Sequence, residues 1–121
     1  MSDFNFVILY VESPSRSEAF YAGLLGRRAV ESSPTFAMFA MSSGVMLGLW
    51  AREGVRPANA PGGGEVAFAV ESRKAVDARH DDWRGRGLNI IQSPTEMDFG
   101  RTFVALDPDG HRLRVFAPAQ P

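Results

Sequence analysis

Two stretches of this chain share one hydrophobic frame. Residues 6–13 read FVILYVES and residues 65–72 read EVAFAVES, so each runs valine, three apolar residues, valine, Glu-Ser. Runs this short and this apolar predict β-strands. Each then enters a helical pattern. Ser13 is a natural N-cap, and Pro14 stands at the first helical position, where its missing N–H costs nothing. Phe20 and Leu24 predict an apolar stripe that Gly26 stops. Ser72 caps the second helix, with Val76, His80 and Trp83 on one face before Gly85 and Gly87 end it.

The following segments also match. TFAMFAMSSGVMLGLW (35–50) lies over TFVALDPDGHRLRVF (102–116) once one residue is removed ahead of the turn. Both read as strand, tight turn ending at Gly44 or Gly110, and strand. In Asp107-Pro108-Asp109-Gly110 the proline presets φ and the glycine accepts a positive φ. Setting Gly44 on Gly110 pairs Leu47 with Leu113, Gly48 with Arg114 and Trp50 with Phe116. Four elements recurring in one order predict an α+β fold of two βαβββ units within a single domain, 1–121. Unit 1 spans about 3–50 and unit 2 about 64–118. The intervening 51–63, rich in Pro57, Pro61, Gly62 and Gly63, reads as a linker.

Composition narrows the function. With 121 residues and 45% apolar content, the chain has material for a core. A net charge of −1 gives no field for nucleic acid and no basic patch for a membrane. Cysteine is absent, which excludes disulfides, thiolate catalysis and zinc–cysteine sites. Met1 leads straight into Ser2 and Asp3 with no leader-like pattern, so a cytoplasmic protein is expected. Gly62-Gly63-Gly64 lacks the Lys-Ser/Thr of a phosphate loop and reads as flexible chain. His80 and His111 are the only histidines. His80 reads as a partly buried or surface helix residue and His111 as a turn residue, and Asp81-Asp82 as a solvated helix face.

The duplicated βαβββ pattern with its closing strand–DPDG–strand resembles the vicinal oxygen chelate superfamily of glyoxalases, bleomycin-resistance proteins and dioxygenases. VILYVESPSRSEAFYAGLLG (7–26) and FGRTFVALDPDGHRLRVFAP (99–118) carry most of the likeness. The segment Ser42–Trp50 and the FGRTF…DPDGH…RV ending are similar to the superfamily's phenazine-resistance branch. The resemblance implies paired units whose sheets curve around a cavity. It also places the metal ligands of metal-dependent members, by position, at Phe6, Gly48, Glu65 and Arg114. A divalent cation needs imidazole or carboxylate donors, and of these four only Glu65 offers one. No metal and no other cofactor are therefore expected.

Strand alternation gives the face that those positions share. Phe6 goes with Ile8 and Tyr10, Gly48 with Met46 and Trp50, Glu65 with Ala67 and Ala69, and Arg114 with Arg112 and Phe116. Gly48, Ala67 and Ala69 are expected to leave room, while Phe6, Tyr10, Trp50 and Phe116 supply flat walls. Glu65 and Arg114 should pair, as an internal salt bridge in place of the metal site or as a fork offered to a ligand's acidic or carbonyl group. The expected ligand-binding set is thus Trp50, Phe6, Tyr10, Met46, Gly48, Glu65, Arg114 and Phe116, with no catalytic residue. The expected function is sequestration of a planar aromatic molecule, such as a phenazine-like antibiotic, by a homodimer. The competing reading is a lyase, dioxygenase or thiol transferase of the same superfamily, metal-dependent or metal-free.

Overall fold

Each Glu-Ser frame opens a helical crossover, because a strand that returns parallel to its start needs one. In the computed structural model, which describes residues 5–56, 58 and 64–119, the order is β1 (Phe6–Val11), α1 (Pro14–Leu25), β2 (Glu31–Ser32), β3 (Phe36–Ala40) and β4 (Met46–Ala51). It repeats as β5 (Glu65–Ala69), α2 (Arg73–Gly85), β6 (Asn89–Met97), β7 (Gly100–Leu106) and β8 (Arg112–Pro118). The two halves form separate compact units, Met1–Pro61 and Gly62–Pro121. Each holds one open mixed sheet, ordered β1-β4-β3-β2 in the first and β5-β8-β7-β6 in the second. The duplicated α+β architecture expected from the sequence is present.

In the first unit, Ser13 Oγ accepts from Arg16 N and Gly26 ends α1 in the left-handed region. The helix packs on β3 and β4 and covers Val11, Ala37, Phe39, Leu47 and Leu49. Its buried face is Pro14, Ser17 and Tyr21, rotated from the expected Phe20–Leu24 stripe. Small Ser17 lets the helix sit close to the sheet, and the Tyr21 ring fills the next turn inward; Phe20 stacks edge-on against Tyr21.

In the second unit, Ser72 Oγ accepts from Ala75 N, and Val76, His80 and Trp83 all face inward. The Trp83 ring meets Phe68 and Phe103 edge-on at 5.7 and 5.4 Å. His80 is a core residue rather than a surface one: it is 9% exposed, lies edge-on to Phe103, and has Asp81 Oδ1 3.1 Å from its Nδ1.

The two strand–turn–strand segments close alike. Gly44 N donates to Met41 O and Gly110 N to Asp107 O, each at 3.0 Å. Both glycines have positive φ, 94° and 85°, which a side chain would resist. Counting back from these turns, the register places Phe36 opposite Trp50 and Thr102 opposite Phe116. Phe36 therefore corresponds to Thr102, and the two Thr-Phe pairs are not equivalent. The deletion expected ahead of the turn is absent, because a one-residue slip would send Phe36 to the face where Phe103 lies buried.

The expected linker also begins later than residue 51. Ala51 closes β4, Arg52–Gly54 form one 3-10 turn, and Val55 is buried. Pro57, Pro61, Gly62 and Gly63 lie outside the described residues.

Candidate ligand-binding faces

On the face of the first sheet turned away from α1, alternation gathers side chains from three strands. Phe6, Ile8 and Tyr10 pair with Met46, Gly48 and Trp50 in parallel register. Phe36, Met38 and Ala40 pair with Trp50, Gly48 and Met46 from the other side. Every side chain here is apolar apart from the Tyr10 hydroxyl and the Trp50 indole N–H. Phe6, Ile8 and Tyr10 are 40%, 44% and 39% exposed, and the Tyr10 and Trp50 rings meet edge-on at 6.2 Å. Phe36 and Met38 stand outside the expected set, which drew on the first and last strands of each unit; their alternation with Ala37 and Phe39 was a usable signal.

Gly48 does not open space. A Cβ there would lie 2.8 Å from Phe6 Cε1 and 2.9 Å from Phe36 Cζ, so the two rings already cover the glycine. Its missing side chain makes room for the edges of both rings, which meet over the glycine beside Trp50.

The same places in the second sheet carry polar groups. Arg114 Nε and Nη2 donate to Glu65 Oε1 and Oε2 at 2.8 and 3.1 Å, a bidentate pair. Arg114 Nη1 donates to Thr102 Oγ1 at 3.0 Å and to Gln92 Oε1 at 3.4 Å. Thr102 Oγ1 donates onward to Val115 O. Phe99 lies 5.7 Å from the guanidinium carbon and meets Phe116 edge-on. The Glu65 and Arg114 side chains are 31% and 17% exposed, so the pair forms as expected but at the rim of water. The hydrogen bonds from Arg114 hold the Glu65 carboxyl below its ordinary value of 4.5, against a smaller opposing effect of burial. Gln92 and Phe99 were also missed: Gln92 follows a β-bulge that alternation cannot foresee, and Phe99 sits in the β6–β7 turn.

The metal-ligand positions implied by the family resemblance do not suit a divalent cation. Phe6 and Gly48 have no donor atom, Arg114 is itself a cation, and both Glu65 oxygens accept from Arg114. His111 belongs to the turn, its Nδ1 2.7 Å from Oδ2 of buried Asp107, whose Oδ1 accepts from Asp109 N and His111 N.

Fold and faces together define a duplicated α+β protein in which each helix-backed sheet presents a second face, ring-rich in the first unit and carrying the Glu65–Arg114 pair in the second. The sequence profile of the Glyoxalase/Bleomycin resistance protein/Dioxygenase superfamily matches residues 3–115, and the chain belongs to that superfamily. It is 28% identical over 114 residues to the phenazine antibiotic resistance protein EhpR of Enterobacter agglomerans, covering 92% of this chain and 88% of that one. A solution NMR structure of a protein from Agrobacterium tumefaciens matches with a TM-score of 0.91 and 48% identity, over 99% of this chain and 100% of that one. A crystal structure of a glyoxalase/bleomycin resistance protein/dioxygenase from Nocardioides matches with a TM-score of 0.83 and 25% identity, over 99% and 85% of the two chains.

Proposed function

We propose that this protein binds and sequesters a planar aromatic small molecule without a metal, a phenazine-like tricycle being the leading class. The observation that carries this reading is the first sheet's apolar face, where Phe6 and Phe36 lie across Gly48 beside Trp50 and Tyr10. An exposed patch of rings and methionines marks a binding surface. Flat rings offer large area at little conformational cost. The distant likeness to EhpR, whose name is that of a phenazine antibiotic resistance protein, supports the choice of ligand class. Capture of this kind needs no nucleophile, general base or metal, and the ligand-equivalent positions hold none that is available.

The test is a thermal-shift titration with phenazine and acridine at micromolar protein. A ligand that binds only the folded state raises its stability in proportion to the logarithm of ligand excess. A rise in Tm that grows with ligand concentration is expected. No shift with any planar aromatic up to its solubility limit would refute the proposal.

A further inference from the structure

We infer that the face of the second sheet by itself recognises an aromatic carboxylate, the anionic acceptor at Arg114 and Gln92 and the ring against Phe99 and Phe116. This rests on the reading that the protein binds planar aromatic molecules and adds the charge that the second unit selects.

The donor inventory of Arg114 leads there. A guanidinium has five N–H groups. Two are spent on Glu65, one on Thr102 and one on Gln92. One Nη2–H remains without a partner among the described residues. Gln92 is in the same condition: its Oε1 accepts from Arg114, and its amide nitrogen makes a single weak contact with Met97 Sδ at 3.7 Å. The second amide N–H is uncommitted. Guanidinium and amide, linked by one hydrogen bond, thus keep a spare donor each.

Charge selects the kind of acceptor. Glu65 contributes one negative charge, while Arg114 and Arg112 contribute two positive ones, with Arg112 Nη1 3.8 Å from Glu65 Oε2. The cluster is left one positive charge in excess, at a position where Arg114 is only 17% exposed. A cation is disfavoured there and a neutral acceptor gains only an ordinary hydrogen bond. An anion gains a charge-assisted one.

The surroundings fit a carboxylate attached to a ring better than a free ion. Phe99 stacks under the guanidinium and Phe116 meets Phe99 edge-on at 6.1 Å. Ala67 and Ala69, on the same face of β5, stand beside Arg114 and Phe116 in register. Their short side chains leave the aromatic surfaces uncovered on that side. In the first sheet Phe6, Gly48 and Phe36 stand where Glu65, Arg114 and Thr102 do here, and Glu31 stands where Gln92 does, so no cation faces that sheet's equivalent place.

The experiment is isothermal titration of the intact protein with phenazine and with phenazine-2-carboxylate at pH 7, at low and high sodium chloride. The carboxylate is expected to bind about tenfold tighter or more, the scale of one hydrogen bond to a charged group, and the advantage should shrink with salt. Glu65→Gln keeps an acceptor oxygen for Arg114 while adding one unit of positive charge. It should raise the ratio of carboxylate to phenazine affinity by about threefold or more, a modest Coulombic gain near a protein surface. Equal affinity for the two probes in the unaltered protein would overturn this inference and leave aromatic binding intact. A folded Glu65→Gln protein with an unchanged or lowered ratio would also overturn it. Failure of both probes to bind would overturn the inference and the reading beneath it together.

Discussion

Gly48 and Arg114 occupy the same place in the two copies of the fold, and opposite chemistry has been built around each. Gly48 stands opposite Ile8 and Met38 in its sheet, and Arg114 opposite Ala67 and Val104 in its own. Phe6 and Phe36 close over the glycine by van der Waals contact. Glu65 and Thr102, at the corresponding positions, bind the arginine by hydrogen bonds. Duplication thus yields one apolar triad and one polar triad on a shared frame.

Gly48→Ala tests the apolar triad. The new methyl group would press on two ring edges, each closer than 3.0 Å. Both rings must tilt outward, and the substitution should cost about 1–2 kcal/mol, within the usual range for overpacking. Urea denaturation measures it. A neutral or stabilising result would show that the rings do not rest on Gly48.

Glu65→Gln tests the polar triad through pH. The folded pKa of Glu65 lies below its ordinary 4.5. Its ion pair therefore stabilises fully above about 4.5, and the contribution disappears as pH falls through the depressed value. With both side chains partly in water, the contribution is about 1 kcal/mol at pH 7, not the several expected of a dry pair. The stability gap between the two proteins should be present at pH 7 and vanish in acid. A gap that widens on acidification would contradict the pairing.

How much of this was legible beforehand differs by element. The repeat, both N-caps and both turns could be read because each rests on local residues: Ser13, Ser72, Gly44 and Gly110. Alternation placed Phe6, Tyr10, Trp50, Glu65 and Arg114 on the correct faces for the same reason. Local likeness misled at Thr35-Phe36 and Thr102-Phe103, where a matching dipeptide hid a difference of face that only strand pairing reveals. Ser17 and Tyr21 were passed over as a helix face because the depth of helix–sheet packing depends on side-chain size at the contact. The ring contact over Gly48 was invisible since it depends on Phe36, a residue of the neighbouring strand.

Asp107→Ala should destabilise the closing turn of the second unit. The carboxylate, fully buried, accepts from two backbone N–H groups and lies against His111 Nδ1. Loss of several hydrogen bonds to one charged group should cost about 2–4 kcal/mol. Urea denaturation should show it, and a loss below about 0.5 kcal/mol would mean that the turn holds without its aspartate.

A metal-free site and a homodimer are both expected in solution. Metal analysis of the purified protein should find no stoichiometric Zn, Ni, Mn or Fe, and chelation should leave Tm and ligand affinity unchanged. Light scattering should give about twice the chain mass of 13.2 kDa. One equivalent of metal lost together with binding, or a mass of one chain at micromolar concentration, would contradict the respective expectation.

Trp50 gives the most direct measurement of whether the first sheet's aromatic face holds the ligand. The chain has two tryptophans, and Trp83 is 2% exposed inside the second unit's core, so it serves as a silent reference. Phenazine should quench the Trp50 part of the fluorescence and leave the Trp83 part. Trp50→Ala should weaken binding by about 2–3 kcal/mol, roughly fifty- to a hundredfold, through lost stacking and lost area, with the fold retained. Unchanged phenazine affinity in a folded Trp50→Ala protein would contradict the account.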